Sequence, residues 1–168
     1  MKLPIKSVLL VVVILALAGG FVAALSAKPS APSVEFTSLK GEKITMESLR
    51  GKVVLVNFWA TDCPGCIAEM PELIQTHHKY NKQGLETIAV AMSYDPPNYV
   101  LTYTQKNSLP FIVSLDPTGA LSKAFDGVQL TPTTFVIDKR GRILLRTVGV
   151  LNFPELHALL EKELKSSS

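Results

Sequence analysis

Apolar residues along this chain gather in short blocks divided by glycine, proline and charged turns, and the blocks alternate between strand-like and helix-like lengths. Val53 to Trp59 is apolar except at Asn57, which predicts a strand buried on both faces. Upstream, Val34 to Thr37 and Lys43 to Thr45 flank a Lys40-Gly41-Glu42 turn and read as a short hairpin. A helix is expected from Pro64, whose missing N–H is harmless at the first helical position, to about Tyr80. Ile67, Met70, Leu73, Ile74 and His77 share one side of it, and Pro71 should kink it by removing the bond to the Ile67 carbonyl. Gly84 closes that element and Glu86 to Met92 supplies the next strand. Asp95-Pro96-Pro97 then reads as a cap and first-turn proline for a helix over about Asn98 to Asn107. Phe111 to Leu115 is a short strand and Gly119 to Phe125 a short helix. Thr133 to Ile137 and Ile143 to Val148 form an antiparallel pair around a basic turn, and Asn152 to Lys165 is a closing amphipathic helix. Its inward residues are Phe153, Leu156, Leu159, Leu160 and Leu164. The order is βαβ, then α and β, then ββα, with no internal repeat: an α/β domain.

One block is unlike the others. Val8 to Leu25 runs about 18 residues without a charge, after Lys2 and Lys6 and before the Ser/Ala/Pro stretch ending at Ser33. It exceeds the apolar core of a cleavable signal, roughly 7–15 residues, and approaches the ~20 needed to span a bilayer. Residues 1–27 are therefore expected to be a retained signal anchor, with cleavage after Ser26 the alternative; 28–33 form a linker, 34–165 one domain and 166–168 a disordered tail. No cysteine lies directly after the apolar run, which argues against a lipid-modified N-terminus. The lysines on its short N-terminal side place the domain across the membrane, in a bacterial periplasm or its extracytoplasmic equivalent.

Charge adds little. Two of the 17 basic residues precede the anchor, leaving 15 against 14 acidic ones. The cluster Lys139-Arg140-Gly141-Arg142 lies between two strand-like runs, where a solvated turn explains it better than a nucleic-acid patch. No nucleic-acid partner is expected.

The candidate chemistry is the chain's only cysteine pair, Cys63-Pro64-Gly65-Cys66, placed between the buried strand and the first long helix. A disulfide closing so short a loop stabilises by roughly 2 kcal/mol, against more than ~4 for one spanning a domain, so stapling explains it poorly. A helix N-terminus offers unpaired amides and the positive end of the peptide dipoles, which favour a thiolate. Cys63, at the cap, is the expected nucleophile.

With Thr131-Pro132 before a strand and Val56-Asn57-Phe58-Trp59-Ala60-Thr61 before the turn, the chain resembles the thioredoxin superfamily. Glu69-Met70-Pro71 after the second cysteine narrows the likeness to the membrane-tethered TlpA/ResA-like group, which includes cytochrome c maturation reductases. The resemblance covers about Val34 to Lys165. It implies a central mixed sheet flanked by helices, the pair at the head of the first long helix, and a cis Pro132 facing it. It also implies that Cys63 attacks a substrate disulfide and Cys66 resolves the mixed disulfide. The Thr131 backbone would pair with an extended substrate segment, with Trp59, Pro64 and Gly65 completing the binding surface.

Glu69 stands one helical turn past Cys66 and is expected to accept its proton during resolution. Asn57 occupies the strand position where cytosolic thioredoxins carry a buried aspartate, so Glu69 would be the substitute. Where the family commonly has tryptophan before the first cysteine, this chain has Asp62. Its charge beside the Cys63 thiolate should raise that thiol's pKa and make the pair more reducing, each ~30 mV matching about 1.4 kcal/mol. The expected activity is thus a protein-disulfide reductase, a monomer with no metal and no cofactor beyond the Cys63–Cys66 disulfide. Its electrons would come from a membrane thiol transporter, and its substrate would be an exported protein, an apocytochrome among the options. Two alternatives are weaker. A thiol peroxidase needs a threonine three residues before its cysteine, and Thr61 is two before. A copper-binding module would use both cysteines and a distant histidine, but His77 and His78 lie more than two turns down the helix from the pair and His157 falls in the final helix, where packing is the usual role.

Overall fold

The computed structural model describes residues 28–166, so the apolar run at 1–27 lies outside them. Among the described residues no helix is long and apolar enough to cross a membrane. Seven strands and four helices follow in order: β1 (Glu35–Thr37), β2 (Lys43–Thr45), β3 (Val53–Trp59), α1 (Pro64–Tyr80), β4 (Leu85–Ala91), α2 (Pro97–Lys106), β5 (Ile112–Leu115), α3 (Ala120–Ala124), β6 (Thr133–Ile137), β7 (Ile143–Val148) and α4 (Phe153–Lys165). Strands β1 and β2 form the expected antiparallel hairpin, and the other five make one mixed sheet in the order β5-β4-β3-β6-β7. β3 pairs parallel with β4 and antiparallel with β6.

All seven residues of β3 are buried, and side-chain alternation splits them between two apolar clusters. Val53, Leu55 and Trp59 join Met70, Leu73 and Tyr80 of α1, Val100 of α2 and Leu156 and Leu160 of α4. Val54, Val56 and Phe58 join Phe36 of the hairpin and the aromatic group Phe125 and Phe135 on the other face. Phe58, Phe125 and Phe135 pack with centroids 5.1–6.1 Å apart.

Helix α1 contains Pro71 on its exposed side. Several local expectations change. The buried face of α1 includes Cys66, Glu69, Thr76 and Tyr80 beyond the apolar set, while Ile67 and Ile74 are half-buried. The polar members are paired: Thr76 Oγ1 lies 2.8 Å from His157 Nε2, and Tyr80 donates to Glu161 at 2.8 Å. The expected linker is docked, since Ala31 donates to the Gly141 carbonyl and Ile143 to that of Pro29, both at 2.8 Å. At the opposite margin Leu39 donates to Val113 at 3.0 Å. Each edge strand is therefore met at one point by an isolated bridge, which shortens the edge left open to unwanted pairing. The basic turn is a tight hairpin: Asp138 accepts from the Arg140 and Arg142 backbones and from the Arg142 side chain. Burial alone would raise its pKa, but these bonds together hold the carboxyl below its usual range.

Candidate active site

The reactive turn follows from the way β3 hands over to α1. Cys63 is the N-cap of α1, with extended φ/ψ of −94° and 106°, and its Sγ accepts from the Cys66 N–H at 3.2 Å. Pro64 occupies the first helical position. The two cysteines are joined in a disulfide with their Cα atoms 5.3 Å apart. Cys63 is half-buried, whereas Cys66 has no exposed surface. An incoming sulfur can reach only the first of them, as the sequence argument requires. Asp62 is exposed, and the cap is Cys63 rather than the aspartate before it.

Glu69 is 3% exposed and held at both oxygens. Oε1 accepts from Asn57 Nδ2 and Oε2 from the Leu151 N–H, each at 3.0 Å. Burial pushes its carboxyl above the ordinary 4.5, and the two bonds only partly offset that. Asn57 Nδ2 also donates to Thr134 Oγ1 at 2.9 Å, which leaves its Oδ1 buried without a partner. The strand asparagine and the helix carboxylate thus form one unit beside the buried cysteine.

The Thr131–Pro132 peptide is cis. A Cβ added to Gly65 would lie 3.4 Å from Pro132 Cδ and 3.2 Å from Val150 Cγ2, so the proline loop, the reactive turn and the 149–151 loop close on one point. Only glycine leaves that approach unstrained. Gly149 donates to the Pro132 carbonyl at 2.8 Å. Neither backbone group of Thr131 has a backbone partner among the described residues, which leaves both free for an extended segment.

Cys63, Pro64, Gly65, Cys66, Glu69, Thr131 and Pro132 are therefore assembled in one place. Trp59 needs correction as a substrate contact. It has no exposed surface, because its side of β3 faces α1 and α4, and its indole packs on Tyr103 at 5.3 Å. Three participants were not anticipated. Val150 and Leu151 lie in the loop before the Asn152 cap, where the only hint was a glycine-flanked exposed valine. Asp95, expected to cap α2, instead accepts from the Thr61 N–H at 2.7 Å and hydroxyl at 2.6 Å, and Pro96 takes the cap position. Among the described residues no group of three or more His, Cys, Asp or Glu is arranged to hold a metal ion. His77 packs on Phe111, 5.6 Å between ring centroids.

A buried thiol partner, a half-buried helix-capping thiol and a facing cis-proline are the parts needed for dithiol–disulfide exchange. Known proteins match the chain over most of its length. The Redoxin family profile matches residues 26–160. The thiol-disulfide oxidoreductase ResA of Bacillus thuringiensis subsp. konkukian is 34% identical over 132 residues, covering 79% of this chain and 75% of that relative. A thioredoxin-type protein of Neisseria meningitidis superposes with a TM-score of 0.78 at 36% identity, over 84% of this chain and 94% of its own. A thiol:disulfide interchange protein of Chlorobium tepidum gives 0.75 at 27% identity, over 83% and 98%. The chain belongs to the Redoxin family, and it is a ResA-like thiol-disulfide oxidoreductase of the thioredoxin superfamily.

Proposed function

We propose that this enzyme reduces disulfides in exported proteins from the outer face of a bacterial inner membrane. In the reduced state the Cys63 thiolate attacks a substrate disulfide, forming a mixed disulfide and releasing one substrate thiolate, which takes a proton. Cys66 gives its proton to Glu69 and attacks Cys63 Sγ. The second substrate thiolate leaves, and the Cys63–Cys66 disulfide forms. Two electrons have then passed to the substrate, and a membrane thiol donor restores the dithiol.

The observation that carries this sequence is the asymmetry of the pair: an accessible helix-capping Cys63 beside a fully buried Cys66 that shares its helix face with a buried carboxylate. A buried carboxyl one helical turn past a resolving thiol suits proton transfer. The reducing direction is supported by Asp62, whose charge opposes a thiolate next to it and so favours the disulfide form of the pair. Localisation is supported by the apolar run Val8 to Leu25 behind two lysines. Family likeness points to an apocytochrome bearing haem-attachment cysteines as a substrate, and the proposed working unit is a monomer.

Replacing Cys66 by serine tests the reaction order. Expressed in cells, that variant should accumulate partners joined through Cys63 and released by dithiothreitol. The same yield from a Cys63→Ser variant, or no cysteine-linked partner from either, would contradict the assignment.

A further inference from the structure

The reactive turn and the cis-proline loop make two walls of the site; a third is the link between β4 and α2. There Asp95 is 5% exposed, with both carboxylate oxygens engaged by Thr61, the N–H at 2.7 Å and the hydroxyl at 2.6 Å. Two bonds from one carboxylate to one residue fix its orientation as well as its position. Thr61 is two residues before Cys63, so Asp95 sets the start of the turn that presents the nucleophile.

The neighbouring Tyr94 reaches the opposite wall. Its hydroxyl lies 3.3 Å from Thr131 Oγ1, while 53% of its surface is exposed. A single exposed aromatic residue is ordinary on a protein surface. Its placement is not. Of the six large apolar side chains exposed among the described residues, Tyr94, Leu130 and Val150 all border the cis-proline loop. That loop carries the unpaired Thr131 backbone, so an extended strand hydrogen-bonded there would lay its side chains against this rim.

We propose that Tyr94 and Asp95 form a further part of the redox site, with Asp95 positioning the Cys63 turn and Tyr94 setting substrate preference through an apolar contact to the polypeptide beside the substrate disulfide. The inference rests on the reductase assignment and adds the class of substrate: a disulfide in an extended segment with an apolar residue near the target cysteine. Small disulfides lack that segment and gain nothing from the rim.

The test compares reduction of insulin with reduction of hydroxyethyl disulfide by the full-length protein. Tyr94→Ala should lower the insulin-to-hydroxyethyl-disulfide ratio of rate constants about tenfold, a usual loss for a buried interface tyrosine, and Tyr94→Phe should restore it to within about twofold. An unaltered ratio in Tyr94→Ala would overturn the contact. For Asp95, the readout is the pH profile of Cys63 alkylation. Asp95→Asn, or Thr61→Val should the first fail to fold, is expected to shift that profile and to slow both disulfides together. A profile unmoved in a folded variant would show a merely structural carboxylate and overturn the positioning role. If the wild-type protein reduces neither disulfide, the reductase assignment itself fails, and this inference with it.

Discussion

Replacing Glu69 separates its two roles, because glutamine and leucine keep different parts of its environment. The carboxylate accepts from Asn57 Nδ2 and the Leu151 N–H at 3.0 Å each, in a site where it is 3% exposed. Glu69→Leu strands both donors in the core, at about 1–3 kcal/mol apiece, offset in part because a desolvated carboxylate is gone. The net loss should be about 2–3 kcal/mol. Glu69→Gln retains an acceptor for Leu151, and its new N–H can meet the Asn57 Oδ1 that now has no partner. Its stability near pH 7 should stay within about 1 kcal/mol of wild type. Neither variant can take a proton from Cys66, so both should slow resolution of the mixed disulfide by about a hundredfold or more.

The pH dependence carries its own sign. Burial raises the folded carboxyl above 4.5, so the folded state holds the proton more tightly than the unfolded chain. The contribution of Glu69 to stability is therefore largest below 4.5 and declines as pH rises through the raised value. Glu69→Gln should lack that decline. Urea unfolding across this range, with stopped-flow decay of a trapped mixed disulfide, measures both effects. Resolution by Glu69→Gln within about threefold of wild type would refute the proton-acceptor role. Equal stability of the Gln and Leu variants would refute the hydrogen-bond reasoning.

Gly65→Ala should leave stability within about 1 kcal/mol, since the glycine is helical, yet crowd Val150 and Pro132 at 3.2 and 3.4 Å. Insulin reduction should fall severalfold, and adding Val150→Ala should recover part of it. Burial lowers the pKa of both His77 and His157 below 6.5, so the folded state should lose stability as pH drops from 6.5 through their lowered values. A His77→Phe variant should show a shallower acid-side fall in the urea midpoint. Trp59 shares an apolar cluster with Cys66, so its fluorescence should change on reduction and stay constant in a Cys63→Ser variant.

Where local chemistry was self-sufficient, the chain could be read directly. β3, β6 and β7 follow from runs that are largely apolar or alternate, and the start of α4 from Asn152, whose side chain accepts from the Glu155 N–H. The reactive pair was equally plain, because proline after the first cysteine places that sulfur at a helix cap. What stayed hidden depends on partners distant in sequence. Thr76 and Tyr80 are not among the apolar positions that mark the inward side of α1, and they are buried where His157 and Glu161 of α4 meet them. Asp95 resembles a cap for α2 until the fold brings Thr61 alongside, a more favourable use of both oxygens. The docking of Pro29 and Ala31 rests on backbone bonds and on one small side chain, Ala31, packed against the second apolar cluster, too little to stand out in the sequence.

The most direct measurement is alkylation of the mildly reduced protein with one equivalent of iodoacetamide, followed by peptide mapping. Cys63 is half-buried at the cap and Cys66 wholly enclosed, so label should appear on Cys63 almost alone. Label on Cys66 in equal amount, or on neither sulfur, would contradict an enzyme that attacks through its helix-capping thiol.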